Sequence, residues 1–205
     1  MRRLVIFSVA LCSFLPAMAW AQPLFPQCPP TGENTGCHFL ITVGRGGKVT
    51  IEEDTNPPNN GPYDGVEDTL VGIVNNSGCP LGSLPLSSPT DIFGFDGDGP
   101  CDVNPSAGNC SSDPSGYGGP GVFFENISPD QTSGTVRFKP PLANGQSTWF
   151  GLEEALTVAD FQLGVPSCSG SKSIPTLSEW VMILLASMMF LTGVLTLCRR
   201  QARAN

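Results

Sequence analysis

The chain has 205 residues, 24 of them glycine and 20 proline, and a net charge of −8 set by 10 Lys and Arg against 18 Asp and Glu. Phosphate binding depends on basic patches that release counterions, so this acidic balance excludes nucleic acid as a partner. One histidine and the lack of any Cys-x-x-Cys pair leave no ordinary zinc ligand set.

Arg2 and Arg3 precede an apolar stretch from Leu4 to Leu15, and Ala19-Trp20-Ala21 supplies small residues at alternate positions. This is the layout of a secretory signal peptide over residues 1–21, engaging Sec export and signal peptidase, with Gln22 as the mature start. A lipoprotein signal at Cys12 is disfavoured, because Leu11 stands where a small residue is needed.

Residues 22–163 have the length of one domain with its own core. Short runs rich in β-branched and aromatic residues alternate with Gly, Pro, Asn, Asp and Ser, which predicts an all-β domain. The expected strands are 38–43, 48–52, 69–75, 81–86, 91–95, 122–127, 135–139 and 148–153. Arg45-Gly46-Gly47 reads as a hairpin turn between the first two. Within Thr135–Lys139, Val136 and Phe138 alternate with Arg137 and Lys139, as in a sheet wet on one side. The fold class is mainly β, a disulfide-containing β-sandwich. Two polar loops, 54–68 and 97–121, are too rich in Pro, Gly and Asn for regular structure. Residues 164–173 read as a flexible tether, short of hydrophobes.

Apart from Cys12 and Cys198, six cysteines remain: Cys28, Cys37, Cys79, Cys101, Cys110 and Cys168. An even number in an exported chain argues for disulfides, with fifteen possible pairings. Cys28 with Cys37 and Cys101 with Cys110 each bracket a short turn-rich loop, which leaves Cys79 for Cys168.

The densest polar cluster is Asp91, Asp96, Asp98 and Asp102 around glycines. Such a segment can wrap carboxylates about a calcium ion, which takes six to eight oxygens. It also serves simply as a turn, since Asp bonds its own backbone and Gly accepts positive φ. Glu67 or Asp68, and Glu153 or Glu154, can contribute from neighbouring strands, one of each pair, because adjacent strand residues face opposite ways. His38 stands alone beside Cys37 and no Gly-x-Ser-x-Gly elbow occurs, so no catalytic residue is assigned and the protein is read as a non-enzyme. A secreted hydrolase with a carboxylate pair is the less favoured alternative. A carbohydrate-binding or calcium-binding adhesion module is the alternative reading; Trp149 and Tyr117 are the aromatics that would serve a carbohydrate as platforms, Tyr63 being less well placed in a loop beside Pro62.

The tail, residues 174–205, opens on Ile174-Pro175-Thr176-Leu177-Ser178-Glu179-Trp180. An uncharged apolar run, 181–198, follows, and then Arg199, Arg200 and Arg203. The run suits the ~30 Å hydrocarbon core at 1.5 Å per residue. Its apolar residues favour insertion by roughly 0.3–0.6 kcal/mol each, the arginines mark a cytoplasmic end, and Trp180 falls at the opposite interface. This places the chain in the envelope, exported through the inner membrane as a single-pass protein with its C-terminus in the cytoplasm.

In order and position these three parts resemble the IPTL-CTERM sorting signal, a relative of the PEP-CTERM signal. The chain departs from the usual pattern at Val181, where members carry Gly. The resemblance implies an exosortase-type enzyme as partner and processing at the motif. It also implies a final place at the cell surface or outside the cell, in the company of exopolysaccharide. The pieces Glu67–Gly78, Ile92–Gly99, Gly119–Val122 and Trp149–Glu154 resemble an ectodomain that recurs in bacterial proteins with such tails; that resemblance implies a sandwich and a surface role and names no reaction.

Overall fold

The computed structural model describes residues 22–103, 110, 113–169, 185 and 188. The expected signal peptide, the sorting motif and the arginine stop lie outside them, as does the apolar run except for residues 185 and 188. No helix among the described residues is long and apolar enough to cross a membrane.

Two sheets form. β1 (Phe39–Val43), β2 (Val49–Glu53), β3 (Thr69–Asn75) and β7 (Ser147–Leu152) make the first, in the order β2-β1-β3-β7. β4 (Leu81–Ser87), β5 (Val122–Glu125), β6 (Ser133–Leu142) and β8 (Gln162–Leu163) make the second, in the order β5-β6-β4-β8, and β9 (Ser167–Cys168) also pairs with β4. The β1–β2 hairpin turns through Arg45–Gly47, where Gly46 and Gly47 have φ of 70° and 78°, a region open to glycine at no steric cost. β1 and β3 run parallel, with Phe39 opposite Val71, and β3 and β7 antiparallel, with Val71 opposite Phe150.

That register sets which side chains meet. Phe39, Ile41, Val71, Ile73, Phe150 and Leu152 share one face of the first sheet and pack with Leu84, Leu86, Val136 and Phe138 of the second in a single buried core. Burying each of these side chains contributes about 1.5–3 kcal/mol. Val136 and Phe138 point inward while Lys139 is exposed, as their alternation requires.

The opposite face of the first sheet is covered too. Leu70 and Trp149 pack there with Phe25, Cys28, Cys37 and Tyr63 in a second buried cluster, so β3 is buried on both faces rather than alternating. Close approach over this face depends on two glycines of one layer. A Cβ on Gly119 would sit 2.2 Å from the Trp149 carbonyl oxygen, and one on Gly151 would sit 2.7 Å from Pro100. Pro100, Tyr117 and Gly119 of the 97–121 loop can therefore lie close against β7.

Three features differ from the sequence expectation. Residues 91–95 form a turn, not a strand: Gly94 N–H donates to the Asp91 carbonyl at 2.7 Å, and the successive residues Ile92 and Phe93 are both buried. The 97–121 loop holds one helical turn, α1 (Pro100–Val103). The first part of the expected tether belongs to the domain. Ser167 and Cys168 pair with β4, Ser169 N–H donates to the Pro80 carbonyl at 2.7 Å, and the Ser83 and Ser167 hydroxyls are 2.7 Å apart. Edge pairing uses backbone groups, so a Ser-rich segment can join a sheet without hydrophobes.

The disulfides join Cys28 to Cys37, Cys79 to Cys168 and Cys101 to Cys110, with Cα separations of 5.0, 5.8 and 5.9 Å. All three separations lie in the range that a disulfide spans.

Candidate functional site

Where β3 begins and β7 ends, the chain gathers carboxylates around one tyrosine. The first contribution comes from a tight turn. Asp64 Oδ1 accepts hydrogen bonds from the backbone N–H groups of Val66, Glu67 and Asp68 at 3.0, 3.1 and 3.1 Å. Gly65 supplies the positive φ of 82° that this turn needs. Asp68 is thereby fixed at the entrance of β3, fully buried, with its carbonyl accepting from Tyr63 N–H at 2.8 Å.

Asp96 and Asp98 follow the turn at 91–94, separated by Gly97 at φ 101°. Glu153 stands one residue past β7, its N–H donating to the Ile92 carbonyl at 3.1 Å. Tyr117 arrives from the long loop, its ring stacked on Phe95 with centroids 4.5 Å apart. Its hydroxyl oxygen lies 2.7 Å from Asp98 Oδ1, 2.8 Å from Glu153 Oε2, 3.2 Å from Asp68 Oδ1 and 3.5 Å from Asp96 Oδ1. A phenol has a single proton, so four carboxylates compete for one donor. The Tyr63 hydroxyl donates to the Asp98 carbonyl at 3.5 Å.

The acidic oxygens fall into two groups. Those of Asp64, Asp68 and Asp98 lie within 4.8 Å of one another, and those of Glu67, Asp96 and Glu153 do likewise. The ion pairs among the described residues, His38–Glu53 and Glu125–Lys139, lie outside both groups.

Electrostatics follow from crowding. Burial pushes the Asp68 carboxyl up to about 7; the charges of Glu153, Asp98 and Asp64 add to the rise, and the nearby Tyr63 hydroxyl opposes it. Glu153 is also raised, first by burial, then by Asp96, Asp98 and Glu67, against the Tyr117 hydroxyl. Asp96 is raised chiefly by its hydrogen bond to Asp98, and Asp98 is held down by that bond and by Tyr117. Both tyrosines are pushed far above their usual range, first by burial, and stay protonated.

Of the four aspartates singled out from sequence, Asp96 and Asp98 meet in this cluster and the other two do not. Asp91 lies beside Glu154, whose carboxyl is raised by burial and then by that contact. Asp102 sits on α1 with its carboxylate against Gly116. Asp64 and Tyr117 are the members that sequence reasoning did not place here. The one signal for Asp64 was Asp-Gly two residues ahead of the Glu67-Asp68 pair.

Trp149, Tyr117 and Tyr63 are buried rather than displayed, and no aromatic side chain among the described residues is exposed. The carbohydrate platform expected of them is therefore not formed by these rings, which are needed inside the outer cluster and the acidic site. His38 is buried too, with Nε2 3.5 Å from Glu53 Oε1, and burial lowers its pKa more than Glu53 raises it.

Compared with known proteins, the exported domain is assigned to no family: no curated protein and no solved structure matches the chain. Residues 172–202 match the family model described as the IPTL-CTERM motif. With the three disulfides, that motif marks the chain as an exported cell-envelope protein sorted by an exosortase-type system.

Proposed function

We propose that the protein is a non-catalytic component of the cell surface or extracellular matrix. In this reading it crosses the inner membrane by Sec export and folds with its disulfides outside the cytoplasm. The 181–198 span then holds it in the membrane, with Arg199, Arg200 and Arg203 inside, until the sorting enzyme acts at Ile174–Trp180. The observation that carries this is the IPTL-CTERM match at residues 172–202 following directly on a disulfide-linked, two-sheet domain. The role as a structural component is supported by burial: the lone histidine and, of the acidic cluster, Asp68 and Glu153 are packed into the fold.

Fractionation of the native host tests the reading. The full chain is expected at the cell surface or in the matrix, and a chain ending at Ser173 is expected to remain periplasmic. Equal distribution of the two forms would contradict a sorting role for the tail.

A further inference from the structure

We propose that Asp64, Asp68 and Asp98 bind one calcium ion, which ties the turn before β3 to the long loop lying over β7. The proposal deepens the reading above, because an exported protein meets calcium at concentrations the cytoplasm does not offer.

The observation beyond mere acidity is Asp68. Its side chain is fully buried, Oδ1 faces the Tyr117 hydroxyl, and Oδ2 is buried with no hydrogen-bond partner. Tyr63 lies close enough to favour the charged form without meeting hydrogen-bond geometry to that atom. A buried carboxylate oxygen without a donor is costly, and folds keep such groups when a proton, a cation or a metal completes them. No ammonium or guanidinium reaches this one among the described residues. A carboxylate oxygen of Asp68 lies within 4.8 Å of oxygens of Asp64 and Asp98, so the three acids gather about one point.

The donor set selects the ion. Only oxygens are present, which suits a hard cation and excludes soft-metal chemistry. Oxygens on opposite sides of a calcium ion, each at 2.3–2.6 Å, are about 4.6–5.2 Å apart, so acids whose oxygens lie within 4.8 Å of one another can reach one such ion together. Magnesium demands near-ideal octahedral geometry at 2.0–2.1 Å and dehydrates reluctantly, so it suits a set of three carboxylates on separate loops less well. The turn that immobilises Asp64 Oδ1 with three N–H groups leaves the rest of that carboxylate to face the ion. Waters fill the remaining positions.

Two measurements on the full chain in detergent test the site. The first is thermal unfolding in EDTA, in 1 mM CaCl2 and in 1 mM MgCl2. Calcium is expected to raise Tm by at least 4 °C and magnesium by less than half as much. Asp68→Asn is expected to raise Tm in EDTA, since it removes a crowded charge, and to abolish the calcium shift; Asp91→Asn, outside the cluster, is expected to retain it. The second needs no variant: terbium should bind the unmodified chain and luminesce on tyrosine excitation, because Tyr63 and Tyr117 flank the site, and calcium should displace it. Absence of both a calcium shift and terbium luminescence would overturn the site. So would a calcium shift that Asp68→Asn retains, or a larger response to magnesium. Such failures leave export and sorting untouched, because those are read from localisation.

Discussion

Replacing Cys79 and Cys168 together by alanine is expected to cost about 4–5 kcal/mol of stability, more than removal of either other bridge. The two cysteines are 89 residues apart in sequence, against 9 for Cys28–Cys37 and 9 for Cys101–Cys110. Cross-linking restricts the unfolded chain by an amount that grows with the logarithm of loop length, about 4.5 kcal/mol for the long loop and below about 3 kcal/mol for the short ones. Structure adds to the difference. β9 consists of Ser167 and Cys168 alone, and without the bridge it would leave part of the β4 edge open to pairing with other chains. Denaturant titration of the three double variants checks this, and equal losses across the series would contradict it.

Tyr117→Phe is expected to destabilise the protein by roughly 2–4 kcal/mol in chelating buffer. The ring would keep its stacking on Phe95, so the change isolates the hydroxyl. That hydroxyl lies 3.5 Å or less from oxygens of Asp68, Asp96, Asp98 and Glu153, and its removal takes away the one proton that the buried pair Asp68 and Glu153 share with the other two. Leaving one such acceptor unpaired costs about 1–3 kcal/mol, and more when it is charged. Equilibrium unfolding of the variant beside the parent provides the comparison. A loss below about 0.5 kcal/mol would show that the phenol is a bystander.

Most strands were legible because their physics is local. The apolar run of β3 has the bounds expected for it, Thr69–Asn75, and the alternation in Thr135–Lys139 lies within the longer β6. Ile92 and Phe93 misled because two adjacent apolar residues are buried by a turn as readily as by a strand. β9 was invisible because backbone pairing and a disulfide hold it, neither of which needs hydrophobic patterning.

The site was legible only in its local part. Asp96-Gly97-Asp98 announced a turn with carboxylates, and the limit of one acid per adjacent pair separates Glu153, in the cluster, from Glu154, beside Asp91. Asp64, Asp68, Asp98 and Glu153 come from segments brought together by the β3–β7 register and by the close contact over Gly151. No spacing in the chain encodes that meeting. Tyr117 was misplaced for the same reason: a tyrosine in a Gly- and Pro-rich loop looks like a surface ring until the loop is seen lying on the sheet.

Delivery of an oxidised domain outside the cytoplasm by its tail is tested most directly by the intact mass of the mature protein, purified without reductant from its native host. The expected mass corresponds to a chain that starts at Gln22, lacks the residues beyond the Ile174–Trp180 region and is six hydrogens short through three disulfides. A mass that includes the whole tail, on a chain with free thiols, would contradict it.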